Sequence, residues 1–265
     1  MSQGEELLDQ ATQVLGSPAF VCAPSGIAGD ALEKLHEASA KSGAAVVGQN
    51  KAFDRLEQEP ELHGLVCRFD IVPEAFLSKH RFLNLHNSLL PKWRGVHPLQ
   101  WALLSGDKDA GITYHICEPR VDSGSIALQR SFPILETDDI NDLFEKVRDA
   151  TRACSGQAIE NWLSGQLTPQ AAVRWPYATQ LDHRMQELSK DMTFHEINRI
   201  VRMSQPPWPQ ARFIDQQRQT FVVGSVARGE QSSSRTNYGV EAGGYIFYFD
   251  DAESATSFTN YFRDE

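Results

Sequence analysis

Leu65-Val66-Cys67-Arg68-Phe69-Asp70-Ile71-Val72, then Pro73 to Ser78, then Phe82-Leu83-Asn84-Leu85-His86 is the stretch on which the fold turns. Two apolar runs of strand length enclose a segment that reads as a helix, the order that joins parallel neighbours in a sheet. The same unit recurs towards the N-terminus. Phe20 to Ala23 reads as a buried strand, Pro24-Ser25-Gly26 turns the chain, Gly29 to Ala40 has helical spacing and Ala44 to Gly48 reads as a second strand. Before it, Leu7, Leu8, Ala11, Val14 and Leu15 mark a short amphipathic helix. Towards the C-terminus, Ile112 to Ile116 and Ser125 to Phe132 are strand-like and meet through Asp122-Ser123-Gly124. Thr137 or Asp138 can then cap a long helix with Leu143, Phe144, Val147, Ala158, Ile159 and Trp162 on its apolar face, ending near Gly165. The expected class is α/β with a mostly parallel sheet. Ligands of such sheets bind beyond the carboxyl ends of the strands, and His86 falls there.

Gln166 to Arg184 reads as a connection. Thr193-Phe194-His195-Glu196 is a capping box that opens a helix with Ile197, Ile200 and Val201 facing inward. Phe221 to Val226 and Tyr245 to Phe249 are strand-like, with a polar loop at Arg228 to Thr236. The expected organisation is a catalytic domain over residues 1–180 and a smaller α+β domain over 181–265.

Composition narrows the class of partner. The chain has 265 residues, 25 basic against 35 acidic, for a net charge of −10, and no stretch concentrates Lys and Arg as a phosphate-tracking surface requires. That argues against nucleic acid. No positively charged leader is readable at the start and no segment reaches about 18 apolar residues, so the cytosol is the expected location and no membrane is involved. Cys22, Cys67, Cys117 and Cys154 form no C-x-x-C pair and read as free, buried thiols. There is no glycine fingerprint for a dinucleotide, no phosphate-binding P-loop and no G-x-S-x-G elbow. None of the eight histidines makes a metal-binding pair at helical spacing, so no metal is expected.

Chemistry concentrates after the fourth apolar run. Asn84 and His86 stand two apart at a strand end, so both side chains project to one side of the sheet. An Asn supplies amide donors; a His supplies a donor or a base. Taken singly, a histidine in an apolar strand is ordinarily a satisfied core residue and D-x-G is ordinarily a turn. Together they form a longer set: Asn84, His86, Ser88-Leu89-Leu90-Pro91, Arg94-Gly95, Pro98, Gly111, Thr113, Asp122, Gly124 and Ile126.

This set resembles the signature of the folate-dependent formyltransferases, the group that contains methionyl-tRNA formyltransferase, glycinamide ribonucleotide formyltransferase and the sugar N-formyltransferases. The family pattern is N-x-H-x-S-L-L-P, then R-G and P, G-x-T, and D-x-G-x-I, and Asp122 follows His86 at the family's separation. A weaker likeness extends to Phe213, where Arg202 to Phe213 carries one residue more than the family's R-A-x-x-P-x-P-G-A-x-F stretch and Gln210 replaces its glycine. The resemblance implies a Rossmann-like sheet, N10-formyltetrahydrofolate as co-substrate and catalysis by Asn84, His86 and Asp122. Attack of an amine on the formyl carbon creates an oxyanion, at which one aimed donor is worth about 10² to 10³ in rate. Relief of the amine's proton by a positioned base is worth roughly 10² to 10⁴. Asn84 and His86 suit the first role, and His86, charge-balanced by Asp122, suits the second.

By the same resemblance, Ser88, Leu89, Leu90 and Pro91 would line the folate pocket, and Phe69 and Ile71 would lie where relatives hold the pterin ring. Two departures stand out: a helix-like stretch precedes Phe20, and the interval Asn50 to His63 is short. The wording Asn84 to Pro91, with Thr113-Tyr114-His115, looks closest to the sugar N-formyltransferases. A nucleotide-linked amino-deoxy sugar is therefore the expected acceptor, in a homodimer. The alternatives are a methionyl-tRNA formyltransferase-like enzyme, another small-amine formyltransferase, or an inactive folate-binding homologue.

Overall fold

The computed structural model describes residues 3–23, 25–67, 71–214, 219–228, 238–242, 245–249 and 252–263. Up to the long helix the order is α1 (Gln3–Leu15), β1 (Val21–Cys22), α2 (Asp30–Ser42), β2 (Val46–Val47), α3 (Gln49–Gln58), β3 (Gly64–Cys67), α4 (Glu74–Leu77), β4 (Phe82–His86), α5 (Pro98–Ser105), β5 (Asp109–Ile116), β6 (Ile126–Pro133) and α6 (Ile140–Ser164). After it come β7 (Glu187–Leu188), α7 (Phe194–Met203), β8 (Arg212–Ile214), β9 (Thr220–Val222), β10 (Ser225–Arg228), β11 (Tyr238–Ala242), β12 (Tyr245–Phe249) and α8 (Ala252–Arg263). The chain divides into two compact units, one of Met1–Pro98, Ala110–Phe132 and Phe144–Ala178, the other of Leu99–Asp109, Pro133–Leu143 and Thr179–Glu265.

In the first unit, β1 and β2 pair in parallel, as do β3 and β4, and each pair is linked through a helix as the sequence pattern demands. The four-stranded sheet runs β3-β4-β5-β6. Beyond β4 the direction changes: β5 is antiparallel to it, with Asn84 opposite His115 and His86 opposite Thr113. Strand alternation then sorts chemistry by face. Leu83, Leu85, Ile112 and Tyr114 are buried on one face, and Tyr114 hydroxyl meets Ser155 of α6 at 2.5 Å. Asn84, His86, Thr113 and His115 fall on the other.

Helix α6 is capped by Asp139, whose Oδ1 accepts from Asn141 and Asp142 N–H at 2.8 and 3.2 Å, rather than by Thr137 or Asp138. Asp138 instead turns back to accept from Leu135 N–H at 2.7 Å. The N-terminal helix is anchored at two points. The buried carboxylate of Glu6 accepts from Arg152 of α6 at 3.1 and 2.9 Å, and Gln3 exchanges amide hydrogen bonds with Asn87 at 2.7 and 3.1 Å. Leu7 and Ala11 bury beneath it, whereas Val14 and Leu15 stay exposed. All four cysteines are free, but only Cys154 is buried. Helices α3 and α5 and strand β7 were not legible in the apolar pattern. Each is short, and the polar run of α3 buries only Ala52 and Leu56.

The second unit is held by aromatic packing. Strands β7, β8 and β9 form one sheet and β10, β12 and β11 another; the stretch read as one strand, Phe221 to Val226, is split between β9 and β10. The polar loop expected at Arg228 to Thr236 lies, after Arg228, outside the described residues. The capping box of α7 is present, with Glu196 accepting from Thr193 N–H at 2.8 Å. Phe258 of α8 is fully buried among Phe213, Phe221, Phe247 and Phe249, at centroid distances of 5.1, 5.8, 5.3 and 4.8 Å. Phe258→Ala removes the ring shared by all four contacts and is expected to destabilise this unit by about 3–5 kcal/mol. Urea denaturation of the full chain checks this by a lowered midpoint for this unit's transition.

Candidate active site

The site is built where β4 ends. His86 is buried, and its Nε2 lies 2.8 Å from the carbonyl of Trp93. A carbonyl only accepts, so Nε2 carries the proton and, in the neutral ring, Nδ1 carries the lone pair. That nitrogen faces Asp122 Oδ2 at 3.6 Å. The Trp93 carbonyl is presented from a backbone at φ 56°, an uncommon conformation for a non-glycine residue, within a loop that also holds Gly95 at φ 103°.

Asp122 sits at the tip of the turn between β5 and β6, at φ 50°. Its carboxylate is largely buried, yet it is well supplied with partners. Gly95 N–H donates to Oδ2 at 2.8 Å and His115 Nε2 lies 3.4 Å from Oδ1. Burial opposes the charge, but His115, His86 and the Gly95 N–H together outweigh it and hold the carboxyl below its ordinary range. Asp122 is ionised at neutral pH.

His115 is the residue that sequence reasoning missed. Its Nδ1 donates to Ile116 O at 2.9 Å, and Nε2 lies 3.0 Å from Asn84 Nδ2, where it accepts one amide N–H in the neutral tautomer. Its ring stands nearly perpendicular to that of His86, at a centroid distance of 6.3 Å. The signal was available: Thr113 and His115 alternate along β5 as Asn84 and His86 do along β4, and antiparallel pairing brings the two polar rows together. Thus Asn84, His86 and Asp122 are brought into one cluster, with His115 as its fourth member.

The expected folate-lining residues divide. Ser88 and Leu90 are buried and internally engaged: Thr113 hydroxyl donates to Ser88 O at 2.6 Å, Leu90 N–H donates to the same hydroxyl at 3.1 Å, and Gln129 amide donates to Leu90 O at 2.7 Å. These bonds tie the loop to β5 and β6. Leu89 and Pro91 remain partly accessible. Ile71 is 78% exposed, and Phe69 lies outside the described residues. Since β3 and β4 are parallel with Cys67 opposite Leu85, the loops carrying Ile71 and Leu89 leave the sheet at the same end. Among the described residues no group of His, Cys, Asp and Glu has the arrangement of a metal site.

The segment after α6 is more than a connection. Residues 168–178 are laced along the site: Thr168 exchanges hydrogen bonds with Ile126, Ala178 N–H donates to Arg94 O at 2.7 Å, and Val96 N–H donates to Ala178 O at 2.8 Å. Along it, Trp175 brackets the Lys92 ammonium, which lies 5.1 Å from its ring and 5.4 Å from that of Trp93.

A family model described as formyl transferase matches residues 24–159, just over half of the chain. The chain belongs to the formyl transferase family. It is 34% identical over 163 residues to a methionyl-tRNA formyltransferase of Streptococcus pyogenes, a match that takes in 60% of this chain and 52% of that protein. The chain therefore spans about half the length of the curated relatives it matches. Among solved structures, a 4-N formyltransferase from Francisella tularensis superposes with a TM-score of 0.68 at 18% identity, covering 84% of this chain and 93% of that one. WlaRD, described as a sugar 3N-formyl transferase and crystallised with dTDP and 5-N-formyl-THF, gives 0.64 at 17% identity, covering 93% and 94%. These likenesses establish the Rossmann-like α/β fold.

Burial, opposed more weakly by Asp122 and the Trp93 carbonyl, lowers the His86 pKa below 6.5. The folded protein therefore resists protonation at a pH where the unfolded chain accepts it. The stability this confers is present above about pH 6.5 and is lost as pH falls towards the folded value. Urea midpoints measured from pH 7.5 to 5 are expected to fall, and to fall less steeply in His86→Gln. Equal slopes in the two proteins would show that His86 titrates as an ordinary exposed histidine.

Proposed function

We propose that this chain transfers a formyl group from N10-formyltetrahydrofolate to a primary amine of a small molecule, with a nucleotide-linked amino-deoxy sugar as the leading acceptor. The observation that carries the reading is the cluster of Asn84, His86, His115 and Asp122 at one strand end, in a member of the formyl transferase family. The folate would rest against Ile71, Leu89 and Pro91 and supply an electrophilic formyl carbon. Asn84 has two amide N–H groups; one serves His115 and the other is available to meet developing negative charge. With Nε2–H committed to Trp93, neutral His86 accepts the amine proton at Nδ1, and the charged ring then faces the Asp122 carboxylate. The depressed pKa of His86 favours this base over a standing imidazolium donor.

The acceptor assignment rests on the folds that match over most of both chains, which include enzymes described as acting at sugar nitrogens. A net charge of −10 adds to it, being a poor match for a polyanionic tRNA. The 34% identity to methionyl-tRNA formyltransferases favours a second reading, transfer to an aminoacyl-tRNA. The proposal takes residues 1–180 as the catalytic domain and 181–265 as a smaller second domain, and the sugar reading goes with a cytosolic homodimer.

The test is turnover of N10-formyltetrahydrofolate to tetrahydrofolate against nucleotide-linked amino sugars, small amines and aminoacylated initiator tRNA. Transfer to an amino sugar is the expected result; transfer to the tRNA alone selects the second reading, and folate binding without transfer selects an inactive homologue. His86→Ala and Asp122→Ala are each expected to lower kcat by about 10² to 10⁴, with circular dichroism unchanged. Near-normal turnover in either would remove that residue from the mechanism.

A further inference from the structure

Gln170 uses every polar atom of its side chain to join the two loops that make the proton-transfer centre. Its Nε2 donates to Asp122 O at 2.9 Å and to Gly124 O at 2.8 Å, while Oε1 accepts from Arg94 Nη2 at 2.6 Å and from Nε at 3.3 Å. Arg94 is bonded directly to Gly95, whose N–H holds Asp122 Oδ2. One amide therefore grips the turn that carries the carboxylate and the loop that carries its donor.

Two features make that grip consequential. Asp122 adopts a left-handed backbone, which persists only where the surroundings over-determine it. Gly124 lies so close to Ile116 O that no Cβ would fit, so the turn is set directly against the end of β5. The segment bearing Gln170 is meanwhile pinned on either side of it by backbone hydrogen bonds, from Thr168 to Ile126 and from Ala178 to Arg94 and Val96. Gln170 is thus not what holds its own segment down. Two donors aimed at carbonyls and one acceptor aimed at a guanidinium are an amide's inventory. A glutamate lacks the donors and a methionine lacks both.

We propose that Gln170 is a positioning residue: by clamping loop 94–95 to turn 122–124 it sets the distance between the Asp122 carboxylate and His86. The kinetic consequence rests on the formyl-transfer reading; the geometric consequence does not. Around His86 the titratable groups are Asp122 and His115; around Asp122 they are His86, His115 and Cys117. Of these, the carboxylate is what raises the proton affinity of His86. If the turn relaxes and the carboxylate withdraws, His86 titrates at lower pH.

The informative variants are Gln170→Glu, which keeps the acceptor for Arg94 but turns a carboxylate on two carbonyls, and Gln170→Met, which removes both functions without charge. Each is compared with wild type by steady-state kinetics and by NMR titration of the His86 ring. The expected result is a kcat lower by about 10²-fold, the scale of a 1 Å misplacement, with KM for the formyl donor unchanged and the His86 titration moved to lower pH. In Gln170→Glu the added negative charge alone would move that titration the other way, so a downward shift reports displacement of Asp122. Wild-type kcat and titration in both variants overturn the proposal, even if the melting temperature falls. A loss of kcat with an unmoved His86 titration also overturns it, because the carboxylate has then stayed in place. If wild type transfers formyl to no acceptor, the functional reading fails and the titration alone decides the role of Gln170.

Discussion

A buried, ionised carboxylate is the constraint to which the first unit is built. Asp122 loses most of its water on folding, and an unpaired charge in that position is costly enough that a lone aspartate would be expected to take up a proton. It stays charged because three separate pieces of chain converge on it: the end of β4 through His86, the face of β5 through His115, and the loop after β4 through Gly95 N–H. None of the three is near it in sequence except His115. The antiparallel register of β4 and β5, the left-handed backbone at Trp93 and the segment after α6 all serve to bring these partners within reach of one pair of oxygens.

Electrostatics then divides labour between two histidines of the same face. His86 has its Nε2 proton fixed by a carbonyl and its other nitrogen turned to the carboxylate, which leaves a base whose product is charge-balanced. His115 has its Nδ1 proton fixed by a carbonyl of its own strand, while its other nitrogen accepts from Asn84 and lies 3.4 Å from Asp122 Oδ1. In the proposed reaction the first ring accepts a proton, and the second orients the Asn84 amide beside it. Similar side chains acquire different work from which nitrogen the backbone claims.

The apolar strand runs, the strand-helix-strand order and the N-x-H and D-x-G landmarks were legible in the chain because each is a local pattern. Period two in Phe82 to His86 and the capping box at Thr193 are read within a few residues and appear as expected. The direction of β5 was not legible, since antiparallel and parallel partners share the same alternation and the choice is made by pairing at a distance. His115 was missed for that reason. Gln170 was missed because residues 166 to 184 carry neither period, and the segment draws its order from hydrogen bonds to other loops rather than from its own pattern. Ser88 O is engaged by Thr113, Leu90 N–H by Thr113 and Leu90 O by Gln129, partners that lie across the sheet and outside the local pattern.

The alternation along β4 and β5 has an evolutionary corollary. A strand side-chain period of two means that one inserted or deleted residue inside β5 would exchange Thr113 and His115 for Ile112 and Tyr114 beside Asn84 and His86. The same slip would drive polar side chains into the face that α6 covers. Substitutions can accumulate one at a time on either face, but changes of length cannot. Across descendants of this sequence, gaps and insertions should therefore collect in the loops flanking residues 82–86 and 109–116, leaving those two strands as fixed rulers against which the rest of the chain drifts.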